Sequence, residues 1–214
     1  MNYLPASNGR VRAPVRTFGA ASGLIAAAAF LVLYTVAMSI DPEYTFYENY
    51  LSDLGVGEGA WAFNSAVMVA GTLMAVFALA GIGPAVRAGL AGWEGGAPRA
   101  VLAWAGPVLL AVGGVFLVLV GVYTEDAGDV HGTVSVAFFM STYLGLVALV
   151  PALRRSWALG VSGLFSTIVT VAIGTVLLPM GFNPRTETVA VLIEVAWGIT
   201  ASGILLMRAR PTAV

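Results

Sequence analysis

The sequence predicts an all-α integral membrane protein: a bundle of six transmembrane helices, both termini cytoplasmic, with a short interfacial helix after the first span. Three observations predict it. Of 214 residues, 59% are hydrophobic and 10% charged, whereas soluble domains carry roughly 25% charged residues. Six apolar runs each reach about 20 residues or more, enough to cross a hydrocarbon core of roughly 30 Å. Arginine gathers on one side of these runs and acid on the other.

Residues 1–16 form a polar cytoplasmic tail with Arg10, Arg12 and Arg16 and no acid. Residues 17–210 form a single transmembrane domain. Its first span runs over about 18–40, longer than the roughly 7–15 apolar residues of a signal peptide, and so reads as a retained helix. Gly19 and Gly23 within it make a GxxxG pair that permits close helix contact. The other spans fall at about 61–83, 100–122, 130–150, 157–179 and 188–207. Pro107 lies inside the third, where it either kinks the helix or caps its first turns. The loop over 84–99, with Gly89, Gly92, Gly95, Gly96 and Pro98, reads as a plain flexible connector.

Orientation follows from charge. Arg10, Arg12, Arg16, Arg87, Arg99, Arg154, Arg155, Arg208 and Arg210 share one side with a single acid, Glu94. Asp41, Glu43, Glu48, Asp53, Glu58, Glu125, Asp126, Asp129 and Glu187 share the other with Arg185. The positive-inside rule puts the arginine side in the cytoplasm and the protein in the plasma membrane.

Composition also excludes chemistry. A net charge of −1 recruits no nucleic acid. There is no cysteine and therefore no disulfide, thiol nucleophile or cysteine-ligated cluster. There is no lysine, so neither retinal nor pyridoxal phosphate can form a Schiff base. With His131 the only histidine, a bis-histidine haem is excluded within one chain.

The candidate site lies in YENYLSDLGVGEGAWAFNS, Tyr47 to Ser65. Tyr47, Tyr50, Leu51 and Leu54 fall on one helical face, with Glu48, Asn49, Ser52 and Asp53 opposite and Gly55 as a stop. This is the interfacial helix, either the floor of a polar site or a simple cover over the bundle. Asn64, three residues into the second span, serves either a helix contact or a ligand. In TEDAGDVHG, Asp129 is placed to cap the fourth span. His131 follows in the first turn, where the helix N-terminus favours neutral imidazole. Glu194 stands inside the sixth span, two turns beyond Glu187 on the same face. It lies about 10 Å below the start of that apolar run. An ionisable group there is a functional candidate by default, the alternative being a protonated or Arg185-paired structural carboxyl.

These pieces, YENYLSDLG, AFNS, YTEDAGDVHG and the late helix carrying Glu194, resemble a prokaryotic six-helix membrane family catalogued as domain of unknown function nine-nine-eight. The resemblance falls on Asn49, Leu51, Ser52, Asp53, Leu54, Gly55, Phe63, Asn64, Asp126 and His131. It implies the six-helix fold and a shared importance of the outer polar residues, and confers no activity. More distant membrane hydrolases gather Ser, Asp and several His around zinc, and a single His departs from that pattern.

Three functions are compatible with these residues. The first is a ligand or lipid-headgroup site at the extracytoplasmic face, extending to a membrane-embedded lipid-processing hydrolase. There Asp53, His131 and Glu194 supply acid–base groups or ligate a divalent metal, and Asn49, Ser52, Asn64 and Asp126 hold substrate. The second is a small proton- or cation-linked transporter with Glu194 as carrier group. The third is a non-catalytic subunit, in a homo-oligomer or a larger membrane complex, whose small-residue faces pack against partners.

Overall fold

A hydrocarbon solvent leaves no partner for free backbone groups, so each apolar run must satisfy its own amides and carbonyls as a helix. The computed structural model describes residues 12–209, and all its regular elements are helices, with no strand among the described residues. Arg10, Arg210 and the beginning of the tail lie outside the described residues.

Helix α1 covers Arg12–Ile40. A loop with a short 3-10 turn, Leu51–Gly55, leads into α2 at Ala60–Val76. The rod continues through a π-helical stretch, Phe77–Ile82, into α3 at Gly83–Gly89. Helices α4 (Gly96–Val122), α5 (Asp129–Ser156), α6 (Gly160–Leu177) and α7 (Pro184–Ala209) complete the bundle. Six helical stretches are long and apolar enough to cross a membrane, namely Val15–Ile40, Ala60–Gly89, Gly96–Val122, Asp129–Ser156, Gly160–Met180 and Pro184–Ala209. They match the six expected runs, and most extend beyond them by a turn or more. Pro107 lies well inside α4 and is fully buried.

Small residues set the spacing. A Cβ on Gly71 of α2 would lie 2.5 Å from the Gly114 carbonyl oxygen of α4, and one on Gly114 equally close to the Gly71 carbonyl oxygen. The two backbones therefore touch. The expected Gly19–Gly23 contact is realised in the same way. Gly19 abuts the backbone of Ala80 and Gly81 in the π stretch, and Gly23 abuts the Ser202 hydroxyl of α7 and the Phe77 ring. Thus α1 is clasped between α2 and α7.

The ends differ in chemistry. At one end, Arg16 donates to the Pro84 carbonyl at 3.2 Å, Arg87 stacks on Trp104, Arg155 on Trp93, and Arg208 donates to the Trp157 and Ala158 carbonyls. The opposite end carries Asp41, Asp53, Glu125 and Glu187.

The helix expected over Tyr47–Leu54 is instead a turn of five residues. Leu51 and Leu54 point into the core, 4% and 0% exposed, while Tyr47 is 67% exposed. Burial of the leucine pair overrides the helical spacing, and Asp53 secures the turn by accepting the Tyr50 amide at 3.0 Å. The expected cap at Asp129 is also corrected. Gly128 holds the N-cap position with φ +60, and Asp129, the first helical residue, makes no capping bond through its side chain.

Candidate functional site

The buried side chains form two clusters, one toward each end of the bundle. The cluster toward the acidic end joins Phe30, Tyr34, Leu51, Leu54, Phe63 and Val67. The other joins Phe77, Leu110, Leu146, Leu149, Trp197 and Leu205. Between them lies a cavity of about 130 Å³. Its floor is the Phe77–Trp197 pair, with ring centroids 6.1 Å apart. Trp197 is fixed because its indole N–H donates to Thr167 Oγ1 at 2.9 Å. The roof is Leu51, Ser52, Phe63 and Glu187. A second cavity of about 90 Å³ adjoins it between α5, α6 and α7, and both are lined by Phe139, Leu146, Glu187 and Glu194.

The roof is stitched by polar bonds. Glu187 accepts the Leu51 amide at 2.6 Å, tying α7 to the turn. Asn64 donates to the Gly55 carbonyl at 2.9 Å, tying α2 to the same turn. The Tyr50 hydroxyl donates to the Phe182 carbonyl at 3.3 Å. Asp53 accepts from Asn49 Nδ2 at 3.0 Å, and Asn49 Oδ1 in turn accepts from the Thr45 amide and hydroxyl. Above the roof, Glu125 joins Asp53 and Glu187. Its carboxyl is pushed up to about 7, chiefly by burial, then by its hydrogen bond with Asp53 and the charges of Asp53 and Glu187. The Tyr44 hydroxyl is also pushed upward by burial and by its 3.3 Å contact with Tyr34. Burial and the neighbouring carboxylates thus make Glu125 hold its proton more readily than a free carboxyl does.

Of the seven residues expected to form a site, Ser52 and Glu194 line the cavity. Asn49, Asp53 and Asn64 hold the roof together. Asp126 is exposed and accepts from the Thr124 hydroxyl beside it. His131 is 8% exposed, and its Nδ1–H donates to the Tyr123 carbonyl at 2.7 Å, latching α5 to the end of α4. Its Nε2 meets the Ser135 hydroxyl at 3.3 Å. Asp53 and His131 thus have separate engagements, and no hydrogen bond joins either of them to Glu194. Among the described residues no three His, Asp or Glu side chains are placed to hold a metal ion. Arg185 does not pair with Glu194, because its guanidinium lies 6.0 Å over the Tyr47 ring.

Sequence reasoning missed Glu125 as a partner of Asp53, and Ser135 and Thr142 as cavity-lining residues. One signal was available for Ser135: it stands four residues after the only histidine, one helical turn away.

Six membrane-length helices around an apolar cavity, beside a carboxylate-rich turn, define a multi-pass helical membrane protein with a partly open apolar cleft. The chain belongs to the family described as Protein of unknown function (DUF998), whose model matches residues 24–210 and so takes in nearly all of the bundle. No curated protein and no solved structure matches the chain.

Proposed function

We propose that this protein binds an amphiphile from the extracytoplasmic leaflet of the plasma membrane, holding an apolar segment in the cavity and a basic or hydrogen-bond-donating head group at Asp53, Glu125 and Glu187. The observation that carries this reading is the apolar cavity of about 130 Å³ lying directly beneath a carboxylate cluster against which, among the described residues, no arginine packs. An apolar cavity of roughly 150 Å³ stays dry and takes up a benzene-sized hydrocarbon. This chamber suits a segment of that size, with the second cavity as its extension. Each roof carboxylate retains acceptor capacity beyond the bonds it makes. Arginine at the opposite end supports the orientation, with both termini cytoplasmic and the 3-10 turn near the outer head groups.

The test compares a long-chain alkylamine with the alkyl sulfate of equal length, titrated into the full chain in nanodiscs of zwitterionic lipid. The amine is expected to bind about tenfold more tightly or better, as one charge-assisted hydrogen bond provides. Glu187→Gln is expected to shrink that preference. Equal binding of the two probes, or binding of neither, would reject the reading.

The Ser135–His131 contact favours a second reading, hydrolysis of an ester-bearing amphiphile. Ser135 lines the cavity, and the Tyr123 carbonyl fixes the imidazole with Nε2 toward its hydroxyl. Ser135 Oγ attacks the acyl carbon, its proton passes to His131 Nε2, and that proton goes to the departing alcohol. Water then cleaves the acyl-serine. A fluorophosphonate probe is expected to label Ser135 in the wild type and not in His131→Gln. An unlabelled wild type retires this second reading.

A further inference from the structure

Resting on the amphiphile-site reading, we infer that the ligand carries two apolar chains beneath one head group, and that the second chain lies in the cavity between α5, α6 and α7. The two cavities share four lining residues, Phe139 and Leu146 of α5 and Glu187 and Glu194 of α7. Each pair is seven residues apart, two turns of one helix, so each pair forms a single ridge along its helix. The other lining residues fall to either side of these ridges. On α7, Val191 and Val195 line the main cavity, whereas Ala190 and Ile193 line the second. On α5 the same division separates Phe138 from Tyr143. The cavities therefore lie side by side over the same depth of the bundle, and the second extends the site sideways. Glu187, a head-group carboxylate of that reading, lines both.

Specific contacts shape the second cavity. The Tyr143 hydroxyl and Thr175 Oγ1 share a hydrogen bond at 2.8 Å, which joins α5 to α6. A Cβ on Gly174 of α6 would stand 2.9 Å from the Tyr143 ring, so the two helices meet closely there. Phe139 of α5 and Phe182, in the connection to α7, bring their ring centroids to 5.3 Å. These contacts fix α6 and its connection against α5 and still leave about 90 Å³ open, room for a hydrocarbon segment shorter than the main cavity takes. A single chain entering beneath Glu187 fills one cavity, and would have to double back over a ridge to reach the other. Two chains joined at one head group fill both, one on each side. Joining them also raises the effective concentration of the second chain at its cavity, an advantage that a separate lipid tail lacks.

The experiment titrates the full chain, in zwitterionic nanodiscs, with a long-chain N-methylalkylamine and with the dialkylamine of the same chain length. Both are secondary amines, so their head groups donate equally. Each is expressed as a mole fraction of the disc lipid, so that partitioning from water drops out. The dialkylamine is expected to bind about tenfold more tightly to the wild type. Ala190→Phe on α7 and Leu177→Trp on α6 alter residues that line the second cavity and not the main one. Each is expected to bring that preference toward unity while the single-chain amine keeps its affinity, and either variant suffices if the other does not fold. Equal wild-type affinity for the two amines overturns this inference and leaves the amphiphile site standing. A preference that persists in the variants that fold overturns it as well. Binding of neither amine overturns both readings together.

Discussion

Gly71→Val is expected to leave no folded protein in mild detergent. The valine Cβ would fall 2.5 Å from the Gly114 carbonyl oxygen and 2.8 Å from the Val118 amide nitrogen. These are backbone atoms of α4, which cannot rotate aside as a flexible side chain can. Overpacking a core ordinarily costs about 1–3 kcal/mol, and a clash of backbone with backbone lies at or beyond the upper end. Lipid gives little compensation, because close approach of small residues is itself what draws membrane helices together. Gly203→Val provides the contrast. A Cβ there meets nothing within 4 Å, so its thermal midpoint should match or exceed that of the wild type. Size-exclusion profiles and thermal unfolding of both variants decide the matter. A monodisperse Gly71→Val protein with an unchanged midpoint would show that the α2–α4 crossing is not set by these glycines.

The second large effect is expected from Gly198→Phe, and it separates binding from folding. Gly198 lines the main cavity, yet a Cβ on it meets nothing within 4 Å. A side chain here starts into free space beside the cavity, and replacing glycine inside a helix gains a few tenths of a kcal/mol in propensity. A ring directed into the cavity takes the space that the proposed ligand's apolar segment would fill. Excluding about four methylenes, at about 0.8 kcal/mol each, costs about 3 kcal/mol or roughly 100-fold in affinity for the alkylamine. Ile199→Phe, one residue on and facing outward at 41% exposure, should leave affinity unchanged. Undiminished binding by Gly198→Phe, with normal unfolding, would place the ligand elsewhere.

These effects bear on what the sequence makes legible. The six spans are plain in it because a hydrocarbon solvent forces long apolar runs into helices, whatever their neighbours. Glu194 stands out for the same reason, as a carboxyl in the middle of such a run. The rest depends on contacts between distant segments. The π stretch at Phe77–Ile82 is fitted against Gly19, nearly sixty residues earlier, and nothing local in FALAGI announces it. Glu125 and Glu187 acquire meaning only once the loops bring them to Asp53. Thr142 reads as an ordinary span threonine, and only its missing back-bond and its place on the cavity wall distinguish it. The turn at Leu51–Gly55 misleads for the opposite reason: its helical spacing is real, but two buried leucines pull the segment inward.

The clasp of α1 against α7 has a temporal consequence. Gly23 cannot meet Ser202 until the intervening chain has been synthesised, which at about 5–20 residues per second takes about ten seconds or longer. Until α7 follows α6, the wall that α7 contributes to the cavity is missing. Because Glu187, Val191, Glu194, Val195, Trp197 and Gly198 of α7 line the cavity, its enclosure is the last step of assembly.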